Sequence, residues 1–324
     1  MDAHDVDLTA PFGNGTLPNP VSTASGCAGY GRELARFQPL AELGSITTKT
    51  IMPYARSGQP TPRLAETPSG MLNSVGLPGS GIGHFIEHEL PWLAERGARV
   101  LVSIAGERVE EFAETAQALN GRPGVVGIEA NLCCPNLANR GLVFAVNPAT
   151  SYDVIAAIRE VTDPALPVYA KLTPDVTSIT EIAAACVRAG AGGLSMINTL
   201  LGMAIDTTTM RPALAGLSGG LSGPAVRPVA VRCVYQVHAA MRSGTMPVVP
   251  ILGMGGIRTG LDALEFVLAG ASGIAVGTAV FNDPSAPLRV LTELRQALAE
   301  RGFAKFVDAI GFAHHQQGQQ GVQR

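Results

Sequence analysis

Two adjacent thiols are the first residues that could do chemistry. In Glu129-Ala130-Asn131-Leu132-Cys133-Cys134-Pro135-Asn136, Cys134 precedes a proline and lies between two asparagines. A thiol with an ordinary pKa of about 8.5 can take a proton from a carbon acid once a closed, dry site positions it. Cys133 is predicted to face the packing side, since a free cysteine most often serves as a small core hydrophobe. Lys49 and Lys171 each end an otherwise apolar run. Unpaired buried charge is costly, so the two together point to an anionic ligand. The segments GMGGIRTG and GIAVGTAVF put Gly255, Gly256, Gly277 and Thr278 where backbone N–H groups can approach phosphate oxygens. Gly253-Met254-Gly255-Gly256 is not a G-x-G-x-x-G fingerprint, so a Rossmann dinucleotide site is not supported.

These residues need elements to hold them, and the hydrophobic pattern supplies a repeating unit. Predicted strands cover Pro20–Ala24, Ser45–Thr48, Arg99–Ile104, Val125–Ala130, Val168–Leu172, Gly193–Ile197, Val248–Leu252 and Gly273–Val276. Predicted helices cover His84–Arg96, Arg108–Asn120, Tyr152–Val161, Thr180–Ala189, Val226–Arg242, Gly260–Ala269 and Ala286–Glu300. Strands that are apolar throughout, alternating with helices, read as a parallel sheet. Eight such units point to an α/β fold of the closed (β/α)8 TIM-barrel type, with a doubly wound open sheet as the competing reading. Every predicted strand then ends in residues suited to a ligand: Ser25 and Gly26, Lys49, Ser103, Asn131, Lys171, Asn198 and Thr199, Gly255 and Gly256, Gly277 and Thr278. The long stretches 50–83 and 200–224 follow the second and sixth strands and are candidate lids or substrate walls. Residues 1–313 read as one domain, and the Gln/Gly-rich stretch 314–324 as a disordered tail.

Composition narrows the class. Of 324 residues, 46% are hydrophobic and 15% charged, with a net charge of −3, which suits a large core and argues against nucleic acid or an anionic membrane as partner. No apolar run reaches transmembrane length, and the first residues lack a secretory pattern, so a cytoplasmic address is expected. Five scattered cysteines with no CxxC pair imply reduced thiols, with neither a structural zinc nor an iron–sulfur cluster in this chain. His84 and His88 share helical spacing but have no third ligand, so no metal is expected there.

The stretches TASGCAGYG, TPRLAETPSGMLNSVGL, EANLCCPN, AKLTP, MINTL, GGLSGPAV, GMGGI and AVGTA together carry a family resemblance. The chain resembles the class 1 dihydroorotate dehydrogenases from about Asn19 to Asp308, and GGLSGPAV and MLNSVGL look most like the NAD-linked (class 1B) catalytic subunit. The resemblance implies FMN as cofactor and oxidation of dihydroorotate to orotate. Cys134 matches the base that takes the C5 proton while hydride passes from C6 to flavin N5. Lys171 matches a lysine at the flavin's N1–O2 edge, and Lys49 one near both flavin and substrate carboxylate. Asn73, Asn131, Asn136 and Asn198 match the amides around the pyrimidine, and Thr199 with the loop of Asn73, Ser74, Val75, Gly76 and Leu77 matches further substrate contacts. Gly223, Gly255, Gly256, Gly277 and Thr278 match the FMN glycines and phosphate cradle, and Ser25, Gly26, Thr50, Ser103, Asn131 and Ile197 complete the expected cofactor contacts.

The resemblance further implies a homodimer and a separate electron-transfer subunit carrying FAD and an iron–sulfur cluster. The chain departs from the family at Cys133, where serine is usual, at Ala130, where a larger apolar residue is usual, and at Ser103, where the NAD-linked enzymes carry asparagine. Two other readings fit the residues: a flavin enzyme for a dihydropyrimidine without a carboxylate, and a non-catalytic phosphate-binding barrel.

Overall fold

A computed structural model describes residues 2–133, 135–136 and 142–315, the side chains of 135, 136 and 142 excepted. Eight parallel strands form one sheet: β1 (Val21–Thr23), β2 (Ile46–Thr47), β3 (Val100–Ile104), β4 (Val125–Asn131), β5 (Val168–Leu172), β6 (Gly193–Met196), β7 (Ile251–Met254) and β8 (Gly273–Val276). They pair in chain order, β8 returns to β1, and a Ser22–Ser45 bridge joins β1 to β2, closing the barrel. That last seam is short on ladder bonds and is stitched by hydroxyls instead. Ser45 Oγ donates to Ser22 Oγ at 2.9 Å, and the Thr47 amide donates to Thr23 Oγ1 at 3.1 Å.

The strands are buried on both faces, which is why they read as continuous apolar runs. The helices are amphipathic and lay one face on the sheet: α1 (Leu90–Glu95), α2 (Val109–Gln117), α3 (Pro148–Val161), α4 (Ile179–Arg188), α5 (Arg227–Arg242), α6 (Gly260–Ala269) and α7 (Ala286–Glu300). In α4 the buried Ile179, Ile182, Ala183 and Cys186 recur at helical spacing. Asn147 caps α3 through the Ala149 amide, and Thr259 and Asp262 form a capping box on α6.

Three expectations needed adjustment. The seventh strand begins three residues later than the predicted Val248–Leu252, at Ile251, because Pro247 and Pro250 have no N–H for a ladder; Val248 is 77% exposed. The predicted helix His84–Arg96 is present but begins three residues earlier, running without interruption from Gly81 to Glu95, and it widens into a π-turn over Phe85–Glu89, where Pro91 cannot donate back to the preceding turn. At the C-terminus His314 stacks on Tyr235 at 3.8 Å and lies 3.0 Å from the Ala269 carbonyl, so packed chain extends past the expected boundary at 313. Residues 316–324 of the expected tail lie outside the described residues.

Each end of the barrel is covered. Below, the hairpin of Ala10–Phe12 and Gly15–Leu17 pushes Phe12 against Tyr169 of β5 at 4.8 Å. Above, the two long stretches meet in one antiparallel sheet ordered Leu200–Gly202, Gly219–Ser222, Gly70–Asn73, Leu64–Thr67. Among the described residues no helix is long and apolar enough to cross a membrane.

Candidate active site

Strand alternation decides what faces the barrel axis. On β4 the inward positions are Gly127, Glu129 and Asn131; on β5 they are Tyr169 and Lys171. Above this interior a cavity opens at the C-terminal ends of the strands, roofed by the four-stranded sheet. Side chains from β1, β2, β3 and β4 interlock along one wall. Thr50 Oγ1 lies 3.1 Å from Ser25 Oγ and 3.0 Å from Ser103 Oγ, and accepts from Asn131 Nδ2 at 3.1 Å. Ser25, Gly26, Lys49, Thr50, Asn131 and Lys171 all border the cavity. Ser103 does not; it is fully buried behind Thr50, so it holds that hydroxyl rather than reaching a ligand.

The roof and the sixth strand supply the opposite wall. Asn73, Val75, Gly76, Leu77, Ile197, Asn198 and Thr199 all face the cavity. The Asn73 amide donates to the Gly220 carbonyl at 3.0 Å, which ties the roof's two inner strands together at the site. Leu77 adopts φ 52°, a backbone strain that an L-residue carries only where its surroundings enforce it. Ser74 is turned away: its hydroxyl faces the Gly216 backbone and its amide donates to Arg63. Asn136 has its backbone in a short pairing of Pro135–Asn136 with Leu142–Val143. Cys134 lies outside the described residues.

Cys133 can be placed. Its sulfur faces inward, donates to the Lys171 carbonyl at 3.5 Å, and is pushed by burial up to about 12, with a partial offset from a hydrogen bond with Asn198. Such a thiol stays protonated and packs, in line with the usual role of a free cysteine as a small core hydrophobe. Lys49 differs: burial first, and the charge of Arg63 second, hold its ammonium below the usual lysine value. An anion bound beside Lys49 would relieve this and favour its charged form.

At the far end the chain turns through Gly223, Gly255 and Gly256 with φ of 95°, 131° and 77°. A Cβ on Gly256 would stand 2.7 Å from the Gly223 carbonyl, so only glycine lets these turns touch. Among the described residues the amides of Gly255, Gly256, Gly277 and Thr278 donate to no backbone carbonyl. These unspent N–H groups at the ends of β7 and β8 fit a phosphate group.

Sequence reasoning missed Cys27, Glu129, Met254 and Phe281, all on the cavity wall. Glu129 was within reach, since it stands two residues before Asn131 on the same strand face.

The family model for dihydroorotate dehydrogenase matches residues 7–298. Among curated proteins, the "Dihydroorotate dehydrogenase B (NAD(+)), catalytic subunit" of Geotalea uraniireducens is 46% identical over 305 residues, covering 94% of this chain and 97% of the relative. That of Desulforudis audaxviator is 48% identical over 303 residues, covering 94% and 96%. That of Geobacillus kaustophilus is 46% identical over 296 residues, covering 91% and 92%. The likeness spans the barrel, the roof sheet and the glycine turns alike, and the chain therefore belongs to the dihydroorotate dehydrogenase family of FMN-dependent oxidoreductases.

Proposed function

We propose that this chain oxidises dihydroorotate to orotate, with FMN bound along the C-terminal face of the barrel and Cys134 as the base. One observation carries the reading: two cations, three amides and a glycine cradle converge on a single cavity. The unspent amides of Gly255, Gly256, Gly277 and Thr278 fit the phosphate, and buried Lys171 brings positive charge to the cavity floor for the electron-rich edge of the ring. When bound, FMN supplies the two-electron redox chemistry that no side chain here provides.

The substrate contacts follow from its groups. Lys49 is the partner for the carboxylate. Asn73, Asn131 and Asn198 offer both donors and acceptors, which matches the alternating N–H and C=O edge of a dihydropyrimidine. Thr199, Val75, Gly76 and Leu77 wall the ring in, and Asn136 is assigned to the same amide set. Cys134 takes the C5 proton. Cys133 cannot substitute for it, because its thiol is spent on the Lys171 carbonyl.

The relatives' name supports a catalytic chain that passes electrons toward NAD(+). In this reading a separate flavin and iron–sulfur subunit is the onward carrier and the catalytic chain works as a homodimer; the five scattered cysteines of this chain are consistent with that.

The test compares two adjacent thiols. Cys134→Ser is expected to keep its FMN and to slow flavin reduction by dihydroorotate on the order of 100-fold or more. Cys133→Ser is expected to leave that rate within about threefold, since its thiol only packs. Equal rates for Cys134→Ser and the wild type in stopped-flow measurements would contradict the assignment.

A further inference from the structure

We infer that Glu129 is the buried counter-charge of Lys171 and sets how tightly the bound flavin holds its electrons. The inference rests on the FMN reading above. The parallel register places Ser103 beside Glu129, and Asn131 and Ser195 on either side of Lys171, so polar side chains cluster in neighbouring rows of the barrel interior. Barrel interiors are ordinarily filled by branched apolar side chains, which makes this polar cluster an exception that needs a reason.

Glu129 is fully buried and Lys171 is 5% exposed. Glu129 Oε2 stands 3.9 Å from Lys171 Nζ, and that ammonium also contacts Met254 Sδ at 2.9 Å. Both Glu129 oxygens and Ser195 Oγ lack a hydrogen-bond partner, and Glu129 borders the cavity. A carboxylate buried with no hydrogen bond is retained only where it has a task, because an apolar side chain would pack there at less cost.

The task follows from the charge balance. Oxidation of dihydroorotate gives one proton from C5 to the base, and from C6 one proton with both electrons to the flavin. With FMN bound, Lys171 would hold the N1–O2 edge, and the flavin would supply a two-electron acceptor whose reduced form is anionic there. Lys171 alone would stabilise that charge strongly and hold the electrons back from the next acceptor. Glu129, close to the lysine in a medium of low dielectric, offsets it and keeps oxidised and reduced flavin closer in affinity.

Glu129→Gln keeps the shape and removes the charge. It is expected to bind FMN as the wild type does, while its ratio of oxidised to reduced dissociation constants rises about tenfold, a two-electron potential about 30 mV higher. Equilibration with a redox dye reads this directly. Glu129→Asp, which keeps the charge, should stay close to the wild-type potential. A Gln variant that binds FMN with unchanged or lowered potential overturns the inference, as does a folded Gln variant that has lost FMN. A wild type that binds no FMN overturns the underlying reading instead. Should Glu129→Gln not fold, the wild type decides through reduced-minus-oxidised infrared spectra. A carboxylate stretch that moves on reduction and shifts with isotope-labelled glutamate is expected, and no such band would overturn the inference.

Discussion

Lys49 gives the site a pH signature. Its ammonium sits below the usual lysine value, held there by burial and by Arg63. Because the folded chain binds that proton less tightly than the unfolded one, stability of the empty protein rises with pH through that window. A bound carboxylate favours the charged form, so ligand affinity has the opposite slope. Orotate binding is expected to be level at neutral pH and to weaken as pH rises through the depressed Lys49 value, before an ordinary lysine would titrate. Lys49→Met should bind orotate on the order of 10- to 100-fold more weakly at neutral pH, with that alkaline limb gone. Calorimetric titration across pH checks both features, and an alkaline limb retained in Lys49→Met would contradict the assignment. At this scale the sequence was informative wherever a polar residue closed an apolar run, as Lys49, Asn131 and Lys171 do. It was blind to orientation: Ser74 and Ser103 lie in the right segments but turn away from the cavity.

At the scale of elements, the barrel separates its stability from its chemistry. The Ala10–Phe12 hairpin plugs the end opposite the cavity, and Phe12 stacks on Tyr169 there. Phe12→Ala removes a ring that is only 8% exposed and should cost about 3 kcal/mol of stability. FMN and orotate affinities should stay unchanged, because the cavity lies above Lys171 at the other end of β5. Urea unfolding beside an FMN titration tests this, and weakened FMN binding with unchanged stability would contradict it. The barrel strands were legible because burial on both faces leaves uninterrupted apolar runs. The roof sheet was not, since its strands pair across some 150 residues of sequence, as Gly220 with Asn73 and Leu221 with Leu72, and long-range pairing leaves no local period. The plugging hairpin, with Gly13 at its turn, went unread for a related reason: three-residue strands fall below any periodic window.

At the scale of the whole molecule, the parts converge on one volume. The barrel presents its strand ends, the roof closes over them from two distant loops, and the glycine turns after β7 and β8 finish the far end. The partner subunit in the proposed function rests on the relatives' name, which describes a catalytic subunit of an NAD(+)-linked enzyme. The whole reading stands on a flavin that dihydroorotate can reduce. Anaerobic mixing of the purified protein with dihydroorotate, followed by visible absorbance, tests that most directly. The flavin band is expected to bleach with one orotate formed per flavin reduced. A yellow protein that keeps its colour with dihydroorotate, or a folded one that never takes up FMN, would contradict it.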